Sequence, residues 1–228
     1  MTKLPPRHLQ PVFEFLIALE KHNNKAWFDA HRGEYEAAKD RFEQYVELFI
    51  DEFRSIEDFA DLSAKACLFR INRDVRFSKD KSPYKTNFGA SIALGGKQSR
   101  RMPYYIHLQP GNNSLLAGGL YMPMPEQINR VRVAIARDSA PLRKILNGKT
   151  FLKVFGNLME DGAGKLKTAP KGYDRNHPDL DLLQFKQWAV MHPLTDAEML
   201  ATDLMKRTLE TFKVLKPLND WLNSVLLG

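Results

Sequence analysis

The sequence predicts an α+β fold: a central antiparallel sheet over about residues 65–121, with residues 150–155 as a further strand or edge piece, packed by N-terminal and C-terminal helices. Three observations carry this. Apolar residues recur at three- and four-residue steps up to about residue 56, the period falls to two between about 65 and 121, and the helical period resumes at Pro125. The strand-like runs are joined by connections too short for a parallel crossover. Helices flank the strands instead of alternating with them, which is the α+β pattern.

Taken in order, residues 11–21 read as a short helix with Val12, Phe15, Leu16 and Leu19 on one face, and Asn23 or Asn24 caps a second piece carrying Trp27 and Phe28. Trp27 and Phe28 are expected in the core. Residues 34–56 give the clearest helix, with Phe42, Tyr45, Val46, Phe49, Ile50 and Phe53 at helical steps. Cys67, Phe69 and Ile71 then alternate with Leu68, Arg70 and Asn72, as in a strand. Residues 73–86 are polar, contain Pro83 and read as a long loop. Strands follow at 87–94, 104–109 and 115–121, the last two joined by the turn Pro110-Gly111-Asn112-Asn113-Ser114. Helices are expected at 125–137, 141–147 and 179–188. The capping box Thr195-Asp196-Ala197-Glu198 opens a helix to about Lys216, which Pro217 breaks before a short final helix.

The composition, 43% apolar and 27% charged over 228 residues, is that of a globular chain with a real core, and no repeat or low-complexity linker divides it. One domain spanning 1–228 is expected. A single cysteine excludes an internal disulfide and a Cys-rich metal site. No apolar run reaches the roughly 18 residues of a membrane span, and MTKLPPRHLQP lacks the apolar core of a signal peptide. These features lead us to expect a cytoplasmic protein without a membrane partner.

The charge is the functional clue. The net charge is +7, but residues 65–101 alone carry +8 and the remainder is −1. The block holds ten Lys and Arg against Asp74 and Asp80. A local block makes a local field, and Arg forks interleaved with Asn, Ser and Tyr suit an oxyanion. A solvated basic loop pinned by Asp74 and Asp80 is the plainer alternative, although exposed pairs contribute little.

Familiar catalytic motifs are absent. There is no phosphate-binding loop of the NTPase kind, no G-x-G-x-x-G, no G-x-S-x-G and no H-E-x-x-H, and the six histidines show no metal-ligand spacing. No metal ligand is assigned. Two S-x-x-K matches, at Ser78–Lys81 and Ser82–Lys85, overlap the basic run and lie in loop-like sequence, and the sequon at Asn112-Asn113-Ser114 reads as a turn.

The block Asn72-Arg73-Asp74-Val75-Arg76-Phe77-Ser78-Lys79-Asp80-Lys81-Ser82-Pro83-Tyr84-Lys85-Thr86-Asn87 resembles that of a mostly bacterial and fungal family, domain of unknown function 2461. Asn23-Asn24-Lys25-Ala26-Trp27-Phe28 with His31-Arg32 and Tyr35 is similar to its N-terminal pattern. So are Tyr104–Leu108, Gly118–Pro123 and Ala169–Asp174 to its later blocks. The resemblance covers nearly the whole chain and implies one intact domain. It carries over no catalytic residue and no cofactor.

Candidate site residues follow from the strands and the loop. If Gln109 pairs with Leu115, His107 falls opposite Ala117 and Tyr105 opposite Gly119, and the small partners leave a shallow recess or let the aromatic ring lie over glycine; the plainer alternative is a packed sheet face with His107 hydrogen-bonded and inert. His107 is a candidate acid/base or donor, with Asp74 as a second catalytic candidate. Arg70, Arg73, Arg76, Lys81 and Lys85 are candidate anion-binding cations. Lys171 joins them from a second basic loop with Lys165, Lys167 and Arg175, where Gly162, Gly164 and Gly172 permit bends. Tyr84 and Tyr105, with Phe77, are candidates to stack on a ligand ring. The expected role is binding of a small phosphate-bearing anion at the polar face of the sheet, with or without turnover. The rivals are a nucleic-acid groove using Phe77, Tyr84 and Tyr104, or an adaptor for an acidic protein.

Overall fold

In the computed structural model, which describes Pro5 and residues 7–76, 78–160 and 164–228, the N-terminal third is helical as its apolar period requires. Helix α1 (Gln10–Lys21) buries Val12, Phe15, Leu16 and Leu19. Asn24 caps α2 (Lys25–Ala30), its side-chain oxygen accepting from the Trp27 N–H at 3.0 Å. Helix α3 (Arg32–Phe53) lays Phe42, Tyr45, Val46, Phe49, Ile50 and Phe53 on one buried face, and α1 packs against it. Each such apolar side chain gains roughly 1.5–3 kcal/mol on leaving water, so packing more than propensity holds α3.

Residues 67–71 differ from expectation. Cys67 closes the one-turn helix α4 (Ala64–Cys67), and the chain then runs extended beside β1 (Phe88–Ile92). A bridge between Leu68 and Ala90 and a 3.0 Å bond from the Phe69 N–H to the Gly89 carbonyl hold it there. Strict alternation fails: Leu68 and Ile71 are buried, whereas Phe69 is 41% exposed.

β1, β2 (Tyr104–Leu108), β3 (Ser114–Leu120) and β4 (Trp188–Leu194) form one antiparallel sheet in the order β1-β2-β3-β4. β2 shows the expected alternation: Tyr104, Ile106 and Leu108 are buried, while Tyr105 and His107 are half-buried on the other face. The fourth strand is not 150–155, which is helix α7 (Lys149–Phe155) with Phe151 and Phe155 buried one turn apart. It is 188–194, whose first residues Trp188, Ala189 and Val190 are all buried. A run buried on both faces carries no alternation to mark it as a strand.

By contacts the chain falls into two compact units, each assembled from three stretches. The first is Met1–Ser99, Tyr105–Leu116 and Pro193–Glu210. Its core joins distant sequence: the Tyr45 hydroxyl meets Thr208 Oγ1 at 2.6 Å, both buried. Its hairpin turn is docked on the N-terminus of α9 (Asp196–Met199). Asp196 accepts from the N–H groups of Gly111 and Asn112 at 2.9 Å each, and both residues have positive φ. The capping box at Thr195 and Glu198 forms as expected, but α9 lasts only one turn.

The second unit is Arg100–Tyr104, Ala117–His192 and Thr211–Gly228. It contains α5 (Pro125–Arg137), α6 (Ala140–Leu146), α7, α8 (Leu180–Leu183) and most of α10 (Leu204–Leu227). Contrary to expectation, α10 runs straight through Pro217. The proline removes one backbone bond, but Phe212, Leu215, Leu218 and Leu222 continue a buried stripe across it. Within this unit Asn219 accepts from the Gly119 N–H at 3.0 Å and donates to the Pro103 carbonyl at 3.1 Å. Gly119 has φ +84, and a Cβ there would lie 2.3 Å from the Trp188 carbonyl oxygen, so only glycine fits.

Candidate functional site

The site is built within the first unit, on the half-buried face of β2. Strand alternation places Tyr105, His107 and, one step beyond the strand, Gln109 on the same side. They form a chain: the Tyr105 hydroxyl lies 3.1 Å from His107 Nδ1, and His107 Nε2 lies 2.9 Å from Gln109 Oε1. The Asn87 amide nitrogen approaches Nδ1 at 3.4 Å. This arrangement suits a neutral imidazole in which Nδ1 accepts and Nε2–H donates to Gln109. Burial pushes the His107 pKa below its ordinary value, and the Gln109 bond offsets part of that shift.

The glycine against the Tyr105 ring is Gly89 on β1, where a Cβ would lie 2.8 Å from the hydroxyl oxygen. The recess expected at Gly119 is closed by the backbone of Trp188 and Ala189. Phe69 meets Tyr105 edge-on at 6.3 Å between ring centroids. The Lys85 ammonium sits over the Phe69 ring, 5.6 Å from its centroid, and donates to the Arg70 carbonyl at 2.9 Å. Lys85 is half-buried, and burial first, then the Arg70 charge, pulls its pKa down. Among the described residues neither the Lys85 ammonium nor the Arg70 guanidinium is in ion-pair contact with a carboxylate, although the Arg70 charge helps to lower the Asp74 pKa.

The other cations predicted from residues 73–86 are engaged inside the loop. Arg73 is paired with Asp80 and reaches Ser78 Oγ at 3.4 Å. Arg76 forks onto Asp74, Nε to Oδ1 at 2.9 Å and NH2 to Oδ2 at 2.6 Å. Lys81 donates to the Val75 carbonyl at 3.0 Å. Asp74 is thus a loop pin and not a poised base: its bonds to Arg76 hold its carboxyl below the usual carboxylate range. Asp80 is likewise lowered, by Ser82 and Arg73. The pinning expected of Asp74 and Asp80 is present, through Arg76 and Arg73 respectively. Ser78 and Ser82 lie in this loop, not at a helix start as an S-x-x-K nucleophile requires.

Tyr84 is corrected from ligand platform to core. It is 6% exposed, its ring stacks on Phe28 at 4.0 Å, and Asn23 brackets its backbone, accepting from Tyr84 N–H at 3.1 Å and donating to its carbonyl at 2.9 Å. Trp27 is corrected in the opposite sense. Phe28 is buried, but Trp27 is half-buried between the rings of His22 and His31, at 5.7 and 4.0 Å. Lys171 belongs to the second unit, on an exposed turn closed by the Tyr173 N–H to the Pro170 carbonyl. In that loop Lys165 pairs with Glu160 at 3.2 Å and lies over Phe185. Phe77 and Gly162 lie outside the described residues. Cys67 is no nucleophile, since burial raises its thiol pKa to about 11.

Three residues of this cluster are not singled out by the sequence: Phe69, Asn87 and Gln109. Gln109 was within reach, by extending the alternation of Tyr105 and His107 one step. The alternation groups Phe69 with Cys67 and Ile71, but Phe69 is exposed where those two are buried. Among the described residues no group of three His, Cys, Asp or Glu is gathered to hold a metal ion, and no helix is long and apolar enough to cross a membrane.

A family model described as conserved hypothetical protein (DUF2461) matches residues 11–221, and the chain belongs to that family. No curated protein and no solved structure matches it.

Proposed function

We propose that the chain binds a small oxyanion-bearing ligand, phosphate above all, on the face formed by Arg70 and Lys85 beside the Tyr105–His107–Asn87 network. The observation that carries the reading is a pair of adjacent cations, one half-buried, with no carboxylate among the described residues in ion-pair contact with either; Asp74, bound to Arg76, acts on Arg70 only through its charge. Lys85 is held in that setting at a cost to its own charged state. A bound oxyanion supplies the missing countercharge, with Arg as fork and Lys as point charge. Exposed Phe69 offers an apolar wall for the body of such a ligand. Any proton transfer falls to the Tyr105–His107 pair, because Asp74 is tied to Arg76.

The test is a melting series in sulfate or phosphate against chloride at matched ionic strength, since a ligand of the native state raises its Tm by mass action. The oxyanions stabilise the native chain more than chloride does. Arg70→Gln/Lys85→Met removes the difference, and Arg73→Ala/Arg76→Ala keeps it. Equal anion responses in all three proteins sink the assignment. A labelled single-stranded oligonucleotide that binds with a steep salt slope, roughly 0.7 per phosphate contact, favours a nucleic-acid groove instead.

A further inference from the structure

We infer that the second unit carries a separate cleft for an amphipathic organic anion, a molecule with an apolar body and one anionic head group. This cleft shares no residue with the Arg70–Lys85 face. It has a volume of about 480 Å³ and lies among α5, the end of α10 and the residues that join α5 to α6, a size within the range of small-molecule sites. Along α5 it is lined by Arg130, Val133, Ala134 and Arg137, and from α10 by Trp221 and Val225.

The spacing of the α5 residues is i, i+3, i+4, i+7, a single helical face. Its ends are cationic, about 10 Å apart along the axis, and its middle is apolar. Val133 is 54% exposed on this face, an aliphatic side chain left in water in a cleft that Trp221 also lines. Arg132, on the same helix, is spoken for: it donates to the carbonyls of Leu183 and Phe185 at 2.8 and 3.0 Å. Arg130 and Arg137 have no carboxylate or hydrogen-bond partner among the described residues. Asp138, the acidic side chain of the lining, already accepts from the Ala140 N–H at 3.0 Å. Two uncommitted guanidinium groups flanking an apolar floor complement an anionic head on an apolar body. Either charge can hold the head while Val133, Ala134, Trp221 and Val225 cover the body.

Calorimetric titration of the full chain with decanoate, and with decanol as its neutral counterpart, tests this. Decanoate saturates one site in the native chain and binds more tightly than decanol. Arg130→Gln/Arg137→Gln weakens decanoate by about tenfold or more, the loss expected for charge-assisted hydrogen bonds, and leaves decanol little changed. Val133→Glu, at an exposed position, abolishes decanoate binding. Arg70→Gln/Lys85→Met has no effect, which separates this cleft from the oxyanion face. The inference is overturned by absence of saturable decanoate binding, by decanol binding as tightly as decanoate, or by variants at 130, 137 and 133 that bind decanoate like the native chain.

Discussion

The Tyr105 hydroxyl lies 3.1 Å from His107 Nδ1 and directly against Gly89, where a Cβ would come within 2.8 Å of it. Space at one strand thereby sets a hydrogen bond on the next. A rigid ring cannot yield as a flexible side chain would, so Gly89→Ala is expected to tilt Tyr105 and break the bond to His107. The stability loss is about 1–3 kcal/mol, as for other overpacked sites. His107 then becomes more exposed, and its pKa, followed by NMR, climbs towards the ordinary value. An unmoved His107 titration in the variant contradicts this coupling.

His107 also gives a pH dependence with a definite sign. Its folded pKa is lowered, chiefly by burial. As pH falls below about 6.5 the unfolded chain takes the proton first. The His107 contribution is thus complete above that pH and lost as pH falls towards the folded value. His8, lowered by burial in the same unit, acts in the same direction. Denaturant unfolding between pH 7 and 5 is expected to show a shallower slope in His107→Asn than in the native chain. Identical slopes contradict the assignment.

Tyr84 and Phe69 are expected to exchange the roles their sequence positions suggest. Tyr84→Ala removes a buried ring stacked on Phe28 and costs about 3–5 kcal/mol, whereas Tyr84→Phe stays within roughly 0.5 kcal/mol. Phe69→Ala, at an exposed position, costs less than Tyr84→Ala but weakens binding of an aromatic phosphate such as phenyl phosphate. Chemical unfolding and phosphate-ester titration together check the pair. Normal ester binding by Phe69→Ala removes the ring from the site.

We expect no independently stable N-terminal half. The first unit needs residues 193–210, which bring Thr208 to Tyr45 and Asp196 to the Gly111–Asn112 turn. A fragment of residues 1–124 lacks both and is expected to be unfolded by circular dichroism. A cooperative thermal transition in that fragment contradicts this.

The helices α1, α3 and α5 and the β2–β3 hairpin were legible because each buries one face, which prints its period on the sequence. β4 was not, because Trp188, Ala189 and Val190 are all buried and leave no alternation. Pro217 misled because a local cost is outweighed by the apolar stripe on either side of it. At the site, the composition of residues 65–101 located the cations but not their partners. Asp74 and Asp80 each select one arginine through loop geometry, and within the described residues Arg70 and Lys85 are among the cations left without an ion pair. Asn87 reaches His107 only through the pairing of β1 with β2, which local sequence does not encode.

The most direct measurement is an NMR titration of the full chain with inorganic phosphate at constant ionic strength, reading backbone amides and the His107 ring. The oxyanion reading predicts saturable shifts gathered at residues 69–71, 85–89 and 105–109, lost in Arg70→Gln/Lys85→Met. Shifts confined to residues 73–82, or spread evenly over the basic surface without saturation, would contradict it.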